Sequence, residues 1–96
     1  MQINDKLNNK NVLITAGAQG IGEAISRHFI ASGANVAIHY FSSAEKAEQL
    51  VTQTINKGQN AVAIKGDLTT ETDANATEKA VAALGGLDIL LSLIHI

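Results

Sequence analysis

Residues 15–22, which read Thr-Ala-Gly-Ala-Gln-Gly-Ile-Gly, connect an apolar run to a segment with helical periodicity. The run before them is Val12-Leu13-Ile14, and apolar residues recur after them at helical spacing as far as Phe29. This stretch is therefore predicted to be a glycine-rich loop between a strand and a helix. Its glycines allow a sharp turn in which no Cβ obstructs the approach of a ligand.

The alternation of strand and helix continues along the rest of the chain. Short apolar runs at 12–15, 36–38, 61–64 and 87–91 are typical of buried parallel strands, and each gap between them suits a helix. Glycines at 33, 58 and 85–86 predict the helix ends. The predicted inward faces are Ile21, Ala24, Ile25, His28 and Phe29 in the first helix, Ala47, Leu50, Val51, Thr54 and Ile55 in the second, and Ala76, Ala80, Val81 and Leu84 in the third.

A β-α-β-α-β-α-β order of this kind predicts an α/β protein with a parallel sheet. Right-handed crossovers place the first two helices on one face of the sheet. If the strand order reverses after the third strand, the third helix covers the opposite face. We expect a Rossmann-like, partial doubly wound sheet of order 3-2-1-4, with a ligand crevice at the carboxyl ends of strands 1 and 4.

Composition restricts the class of protein. The chain has 96 residues, of which 46% are hydrophobic and 17% charged, as expected of one small globular domain. A net charge of −2 without a basic cluster argues against nucleic acid as a partner. There is no cysteine, and the three histidines are far apart, so no metal site is expected. Because the sequence contains neither a signal peptide nor a membrane-length apolar run, we expect a cytoplasmic protein without a membrane partner.

The predicted loop has the properties of a dinucleotide site. The first N–H groups of a helix lack partners within the helix, and together with the helix dipole they attract a pyrophosphate. A purely structural turn is the alternative. At the end of the third strand, Asp67 can accept a hydrogen bond from an adenine amino group, and Leu68 can contact the ring; alternatively, Asp67 caps the turn into the next helix.

These motifs resemble the short-chain dehydrogenase/reductase family. Its loop reads T-G-x-x-x-G-x-G, and this chain has the form Thr15-Ala16-x-x-x-Gly20-Ile21-Gly22, with alanine in place of the first glycine and Gly17 after it. The resemblance continues at 7–12, at Gly66-Asp67-Leu68-Thr69 and at 86–90, and so covers about ninety residues. It implies the cofactor-binding part of an NAD(P)-dependent oxidoreductase that acts on carbonyl or alcohol substrates, similar to the 3-oxoacyl-acyl-carrier-protein reductases.

The residues expected to bind the cofactor come from the loop and from the ends of the second and third strands. They are Thr15, Ala16, Gly17, Gln19, Gly20, Ile21, Gly22, Tyr40, Ser42, Ser43, Asp67 and Leu68. The second strand ends without the acidic residue that binds the ribose of NAD, and Ser42 and Ser43 could donate to a 2′-phosphate. NADP is therefore favoured over NAD, although Gln19 stands where NADP-preferring relatives often carry Arg or Lys.

The groups that the resemblance implies for catalysis do not occur in this sequence. The family uses an Asn-Asn-Ala-Gly segment, a serine and a Tyr-x-x-x-Lys pair, whereas Tyr40 is followed four residues later by Ala44. We assign no catalytic residue and expect the chain to be inactive alone. We expect 1–91 to be the N-terminal part of an NAD(P)-binding Rossmann domain and 92–96 a non-native tail. A non-catalytic dinucleotide-binding sensor module is the alternative.

The interrupted sheet also predicts how the chain behaves in solution. An unpaired fourth strand presents an open apolar edge, which favours association between chains. We therefore expect this fragment to be prone to aggregation. The full-length parent is expected to be a homo-oligomer.

Overall fold

The computed structural model describes residues 8–15, 20–40, 44–66 and 73–91. Within these ranges the elements follow the predicted β-α-β-α-β-α-β order. They are β1 (Asn11–Ile14), α1 (Gly20–Ala31), β2 (Asn35–Tyr40), α2 (Ala44–Asn56), β3 (Ala61–Lys65), α3 (Asp73–Leu84) and β4 (Ile89–Leu91).

The four strands form one parallel sheet in the order β3-β2-β1-β4, as predicted. β1 is central, and Val12, Leu13 and Ile14 have no exposed surface. A strand that is covered on both faces does not alternate between apolar and polar residues, because neither face meets water. This explains the continuous apolar sequence of β1. The reversal of strand order between β1 and β4 confirms the predicted doubly wound arrangement.

The two faces of the sheet carry separate apolar layers. On one face, Val12, Val36 and Ile38 form a cluster with Ile30 of α1 and Leu50 of α2. The opposite face has a smaller cluster, and its members are Leu13, Ala37, Ile64, Ala76 and Ala80. Because Ala76 and Ala80 belong to α3, the helices are divided between the faces as the handedness of the crossovers predicts.

The predicted inward face of α1 was partly wrong. The residues of α1 that are buried are Gly22, Ser26 and Ile30, whereas Ile21, Ala24 and His28 are exposed. Small side chains at 22 and 26 allow the helix backbone to lie close to its neighbours, and a search for large apolar residues does not detect such a stripe. Ile55 of α2 and Val81 of α3 are also exposed, because they lie at the margins of their apolar faces.

Each helix ends near a glycine, as predicted. Gly33, Gly58 and Gly85 have φ values of 88°, 82° and 85°, which is the left-handed conformation that closes many helices. Gln59 adds a side-chain cap to α1, because its Nε2 donates to the carbonyl of Ile30 at 2.6 Å. None of the helices in the described ranges has the length and apolar content needed to span a membrane.

Three asparagines lie at the amino-terminal edge of the sheet and are here named the asparagine row: Asn11 and Asn35 begin β1 and β2, and Asn60 directly precedes β3. Asn35 donates to Asn11 Oδ1 at 2.9 Å, and Asn60 donates to Asn35 Oδ1 at 3.4 Å. Asn11 also donates from Nδ2 to the carbonyls of Leu84 and Gly86. The row therefore ties the end of α3 to the central strand.

β4 is at the outer edge of the sheet and, within the described ranges, pairs with β1 alone. Leu90 at this edge is 43% exposed. An exposed apolar side chain beside unpaired backbone groups is the feature that favours association. The aggregation expected from the sequence stays a prediction.

Replacing Asn11 by alanine tests the contribution of the asparagine row. The variant loses the donors to Leu84 and Gly86 and the acceptor for Asn35, which leaves partly buried carbonyls without this partner. We expect the free energy of unfolding, measured by urea denaturation, to fall by about 1–3 kcal/mol.

The matched control is Asn60→Ala, because Asn60 is exposed and makes one longer bond in the same row. We expect this variant to lose less than about 0.5 kcal/mol. Equal losses in the two variants would show that Asn11 has no special role at this edge.

Candidate functional site

The candidate site lies at the carboxyl edge of the sheet, where β1 ends and α1 begins. Thr15 directly follows β1, is fully buried, and donates its backbone N–H to the carbonyl of Leu91 at 3.1 Å. α1 runs back toward the start of β2, so its N-terminus must lie at the same edge as the end of β1. Its first N–H groups therefore point out of the sheet toward the predicted crevice.

Gly20 is the first residue of α1 and has a backbone conformation that favours glycine. Its φ is 60°, in the left-handed region where an L side chain is strained. A Cβ built on Gly20 would meet no heavy atom of the described residues within 4 Å. Packing within the described fold thus does not exclude a side chain here, whereas the backbone conformation disfavours one.

The two residues after Gly20 have opposite environments. Gly22 is buried, as expected where the start of a helix packs closely on a neighbouring strand. Ile21 is 77% exposed, so its apolar side chain makes little contact with the described fold. The first turn of α1 thus offers backbone N–H groups beside one apolar contact surface.

The carboxyl end of β2 carries no acidic residue. Tyr40, its last residue, is half-buried against the cluster formed with α1 and α2, and it pairs with the exposed Lys65 of β3. Glu45, the next acid along the chain, is an exposed residue in the first turn of α2. The described part of this strand end therefore has no carboxylate that would repel a phosphate.

His39 precedes Tyr40 in β2 and lies on the other face of the sheet. Adjacent residues of a strand point to opposite faces, and His39 is only 3% exposed. Its Nε2 lies 2.8 Å from the carbonyl oxygen of Gly66, directly after β3. Sequence reasoning missed this contact because nothing in the pattern reveals which residue lies opposite a strand end.

Charge near the start of α1 is balanced. Glu23 lies in its first turn and pairs with Arg27 at 3.0 Å, and Arg27 also donates to Gln53 of α2 at 3.1 Å. Because this carboxylate is paired with Arg27, it does not neutralise the positive end of the α1 dipole. In the described ranges, no group of three histidine, aspartate or glutamate side chains could hold a metal ion.

The structure thus describes part of the predicted site. The sequence-predicted residues within the described ranges are Thr15, Gly20, Ile21, Gly22 and Tyr40. Those outside them are Ala16, Gly17, Gln19, Ser42, Ser43, Asp67 and Leu68. Thr15, Gly20 and Ile21 share the β1–α1 end of the crevice, whereas Tyr40 stands on the neighbouring strand. Their roles in binding stay predictions.

Comparison with known proteins supports this reading of the fold. The chain is 43% identical over 89 residues to General stress protein 39 of Bacillus subtilis, covering 92% of this chain and 31% of that protein. It is 34% identical over 84 residues to the 3-oxoacyl-[acyl-carrier-protein] reductase FabG of Staphylococcus aureus, covering 86% of this chain and 34% of that protein. The chain thus spans about a third of the length of these curated relatives.

A solved structure with a similar fold is a short chain dehydrogenase from Burkholderia cenocepacia in complex with NADP. It has 43% sequence identity and a TM-score of 0.80, and the match covers 91% of this chain and 36% of that one. The family model described as short chain dehydrogenase matches residues 10–92, which is most of the sequence. The chain therefore belongs to the short chain dehydrogenase family.

Proposed function

We propose that this chain binds NADP(H) at the carboxyl edge of its sheet. The observation that carries the proposal is Gly20 at the N-terminus of α1: its φ is 60°, and a Cβ there would meet no heavy atom of the described residues within 4 Å. A pyrophosphate there would receive hydrogen bonds from the first N–H groups of the helix and would be stabilised by its dipole. The exposed side chain of Ile21 would be covered by the bound cofactor.

The remaining predicted residues extend this site along the same edge. Asp67 and Leu68 would contact the adenine, and Ser42 and Ser43 would donate to the 2′-phosphate of NADP. Tyr40 would line the ribose pocket from the end of β2. The absence of a carboxylate at this strand end and the NADP-bound relative both favour NADP over NAD. The cytoplasmic location expected from the sequence stays a prediction.

We further propose that the parent protein is an oxidoreductase that acts on a carbonyl or alcohol substrate. Family membership and the similarity to a 3-oxoacyl-[acyl-carrier-protein] reductase support this class of reaction. The cofactor, when bound, supplies the hydride, and the residues of this chain bind and orient it. The substrate groups and the proton donor would come from segments that this sequence does not contain.

Replacing Gly20 by valine tests the phosphate site. The side chain would stand where the pyrophosphate approaches the first N–H groups of α1, so we expect the Kd for NADPH to rise by about tenfold or more in a fluorescence titration. Gly58→Val is the matched control, because Gly58 also has a positive φ and a Cβ there would likewise meet no described heavy atom within 4 Å, but Gly58 follows α2 at the opposite edge.

Both valine variants introduce comparable backbone strain, about 1–2 kcal/mol. A loss of NADPH affinity in the Gly20 variant alone therefore reports on the site, since the control corrects for strain. Unchanged affinity in the Gly20 variant, or an equal loss in both variants, would remove Gly20 from the cofactor site.

Replacing Tyr40 by aspartate tests the preference for NADP. A carboxylate at the end of β2 would repel a 2′-phosphate but could accept hydrogen bonds from the ribose hydroxyls of NAD. We expect the ratio of the Kd for NADPH to that for NADH to rise by about tenfold, equivalent to about 1.4 kcal/mol. The neutral variant Tyr40→Asn should lose the same ring packing without changing this ratio. A wild-type preference for NADH would contradict the NADP assignment.

The purified 96-residue chain should not oxidise NADPH with any carbonyl substrate. Its single tyrosine, Tyr40, is not followed by a lysine four residues later, so the sequence contains no proton donor of the type that the family uses. A positioned acid of this kind contributes about 10²- to 10⁴-fold in rate. Loss of NADPH absorbance in proportion to protein concentration, across a panel of ketones and aldehydes, would contradict this expectation.

A further inference from the structure

A buried histidine joins the ends of the two strands that flank the proposed adenosine side of the site. His39 is 3% exposed and belongs to β2, whereas its hydrogen-bond partner Gly66 directly follows β3. The distance from Nε2 to the Gly66 oxygen is 2.8 Å. Because a carbonyl oxygen can only accept, Nε2 must carry the hydrogen and donate it.

Gly66 is held to β2 through both of its backbone polar groups. Its N–H donates to the carbonyl of Tyr40 at 3.0 Å, and its carbonyl accepts from His39. The first bond continues the pairing of β2 with β3, in which His39 lies opposite Ile64 and Tyr40 opposite Lys65. The second bond uses a side chain, and it fixes the direction of the carbonyl after the strand pairing has ended.

The direction of that carbonyl also sets the direction of the N–H group that follows it. The C=O of one residue and the N–H of the next belong to one rigid peptide plane. A hydrogen bond that fixes the Gly66 carbonyl therefore fixes the peptide group that leads to Asp67. Asp67 is the residue for which the proposed function requires a defined position, because its carboxylate would accept a hydrogen bond from the adenine amino group.

We propose that His39 is a positioning residue for the adenosine half of the cofactor. It acts through the Gly66 carbonyl, with no contact of its own to the cofactor, and it selects the orientation of the Gly66–Asp67 peptide group. The inference rests on the proposed function, because it assigns to His39 a role in that same binding site. Its burial on the α3 face, opposite to Tyr40, separates it from the residues that would touch the ligand.

The test uses two probes, each of which contains a different part of the cofactor. ADP carries the adenosine and the pyrophosphate, whereas reduced nicotinamide mononucleotide lacks the adenosine. In His39→Leu the donor is lost and the Gly66 carbonyl is left without it, so we expect the Kd for ADP to rise by about tenfold. The Kd for reduced nicotinamide mononucleotide should stay within about twofold of the wild-type value, because binding of that probe does not depend on Asp67.

Two polar variants distinguish the donor from the bulk of the ring. His39→Gln keeps an N–H at a similar reach and should restore most of the ADP affinity, whereas the side chain in His39→Asn is too short to reach Gly66 and should not restore it. If His39→Leu does not fold, the comparison of these two variants carries the test.

Thr54→Val is the control for a general loss of stability, because Thr54 is buried and its hydroxyl donates to Leu50 at 2.7 Å, within α2. It should lower the melting temperature and leave both Kd values unchanged.

The outcomes separate this inference from the proposed function. Wild-type protein that binds neither NADPH nor ADP would overturn the proposed function, and the role of His39 would fall with it. Wild-type binding together with an equal loss for both probes in the His39 variants, or with unchanged ADP affinity in a folded His39→Leu protein, would overturn the role of His39 alone. In the wild-type protein, long-range ¹⁵N–¹H spectra should show a protonated Nε2, and an unprotonated Nε2 would also overturn it.

Discussion

The pairing of β1 with strands on both of its sides is the interaction on which this structure depends. β2 and β4 both pair with it as parallel strands, and the chain enters each of these two strands from a helix. Because the crossovers have a fixed hand, the helices before and after the change of direction are placed on opposite faces. The central strand is thereby covered on both faces and both edges, which is why Val12, Leu13 and Ile14 are fully buried.

The carboxyl edge of the sheet is held together by hydrogen bonds that lie just beyond the strands. Thr15 joins the end of β1 to Leu91 of β4, and Gly66 joins the end of β3 to Tyr40 of β2. His39 adds a side-chain bond to the second of these connections. A scaffold whose strand ends are fixed in this way can present loops of variable sequence, and binding residues commonly occupy such loops.

The order of strands and helices and the helix ends could be predicted from sequence, because each depends on a pattern of apolar residues and glycines. The strand order and the division of the helices between two faces followed once a doubly wound fold was assumed. The environments of single side chains could not be predicted to the same extent. Ile21 and His28 have helical spacing yet are exposed, since Gly22 and Ser26 supply the close contact of α1. The bond from His39 to Gly66 depends on which residues lie opposite each other in two strands, and a sequence pattern does not contain that information.

The asparagine row also has a consequence for how the strands find their alignment. A strand that is apolar on both faces, such as β1, is poorly protected against sliding along its neighbour, because a shift by one residue brings one apolar side chain opposite another. Asn11 and Asn35 remove this degeneracy, since their 2.9 Å bond exists only when the two strands are in step. A slip by one position would leave amide groups facing Val12 or Val36. The three asparagines thus specify one strand register among several that would bury similar amounts of apolar surface.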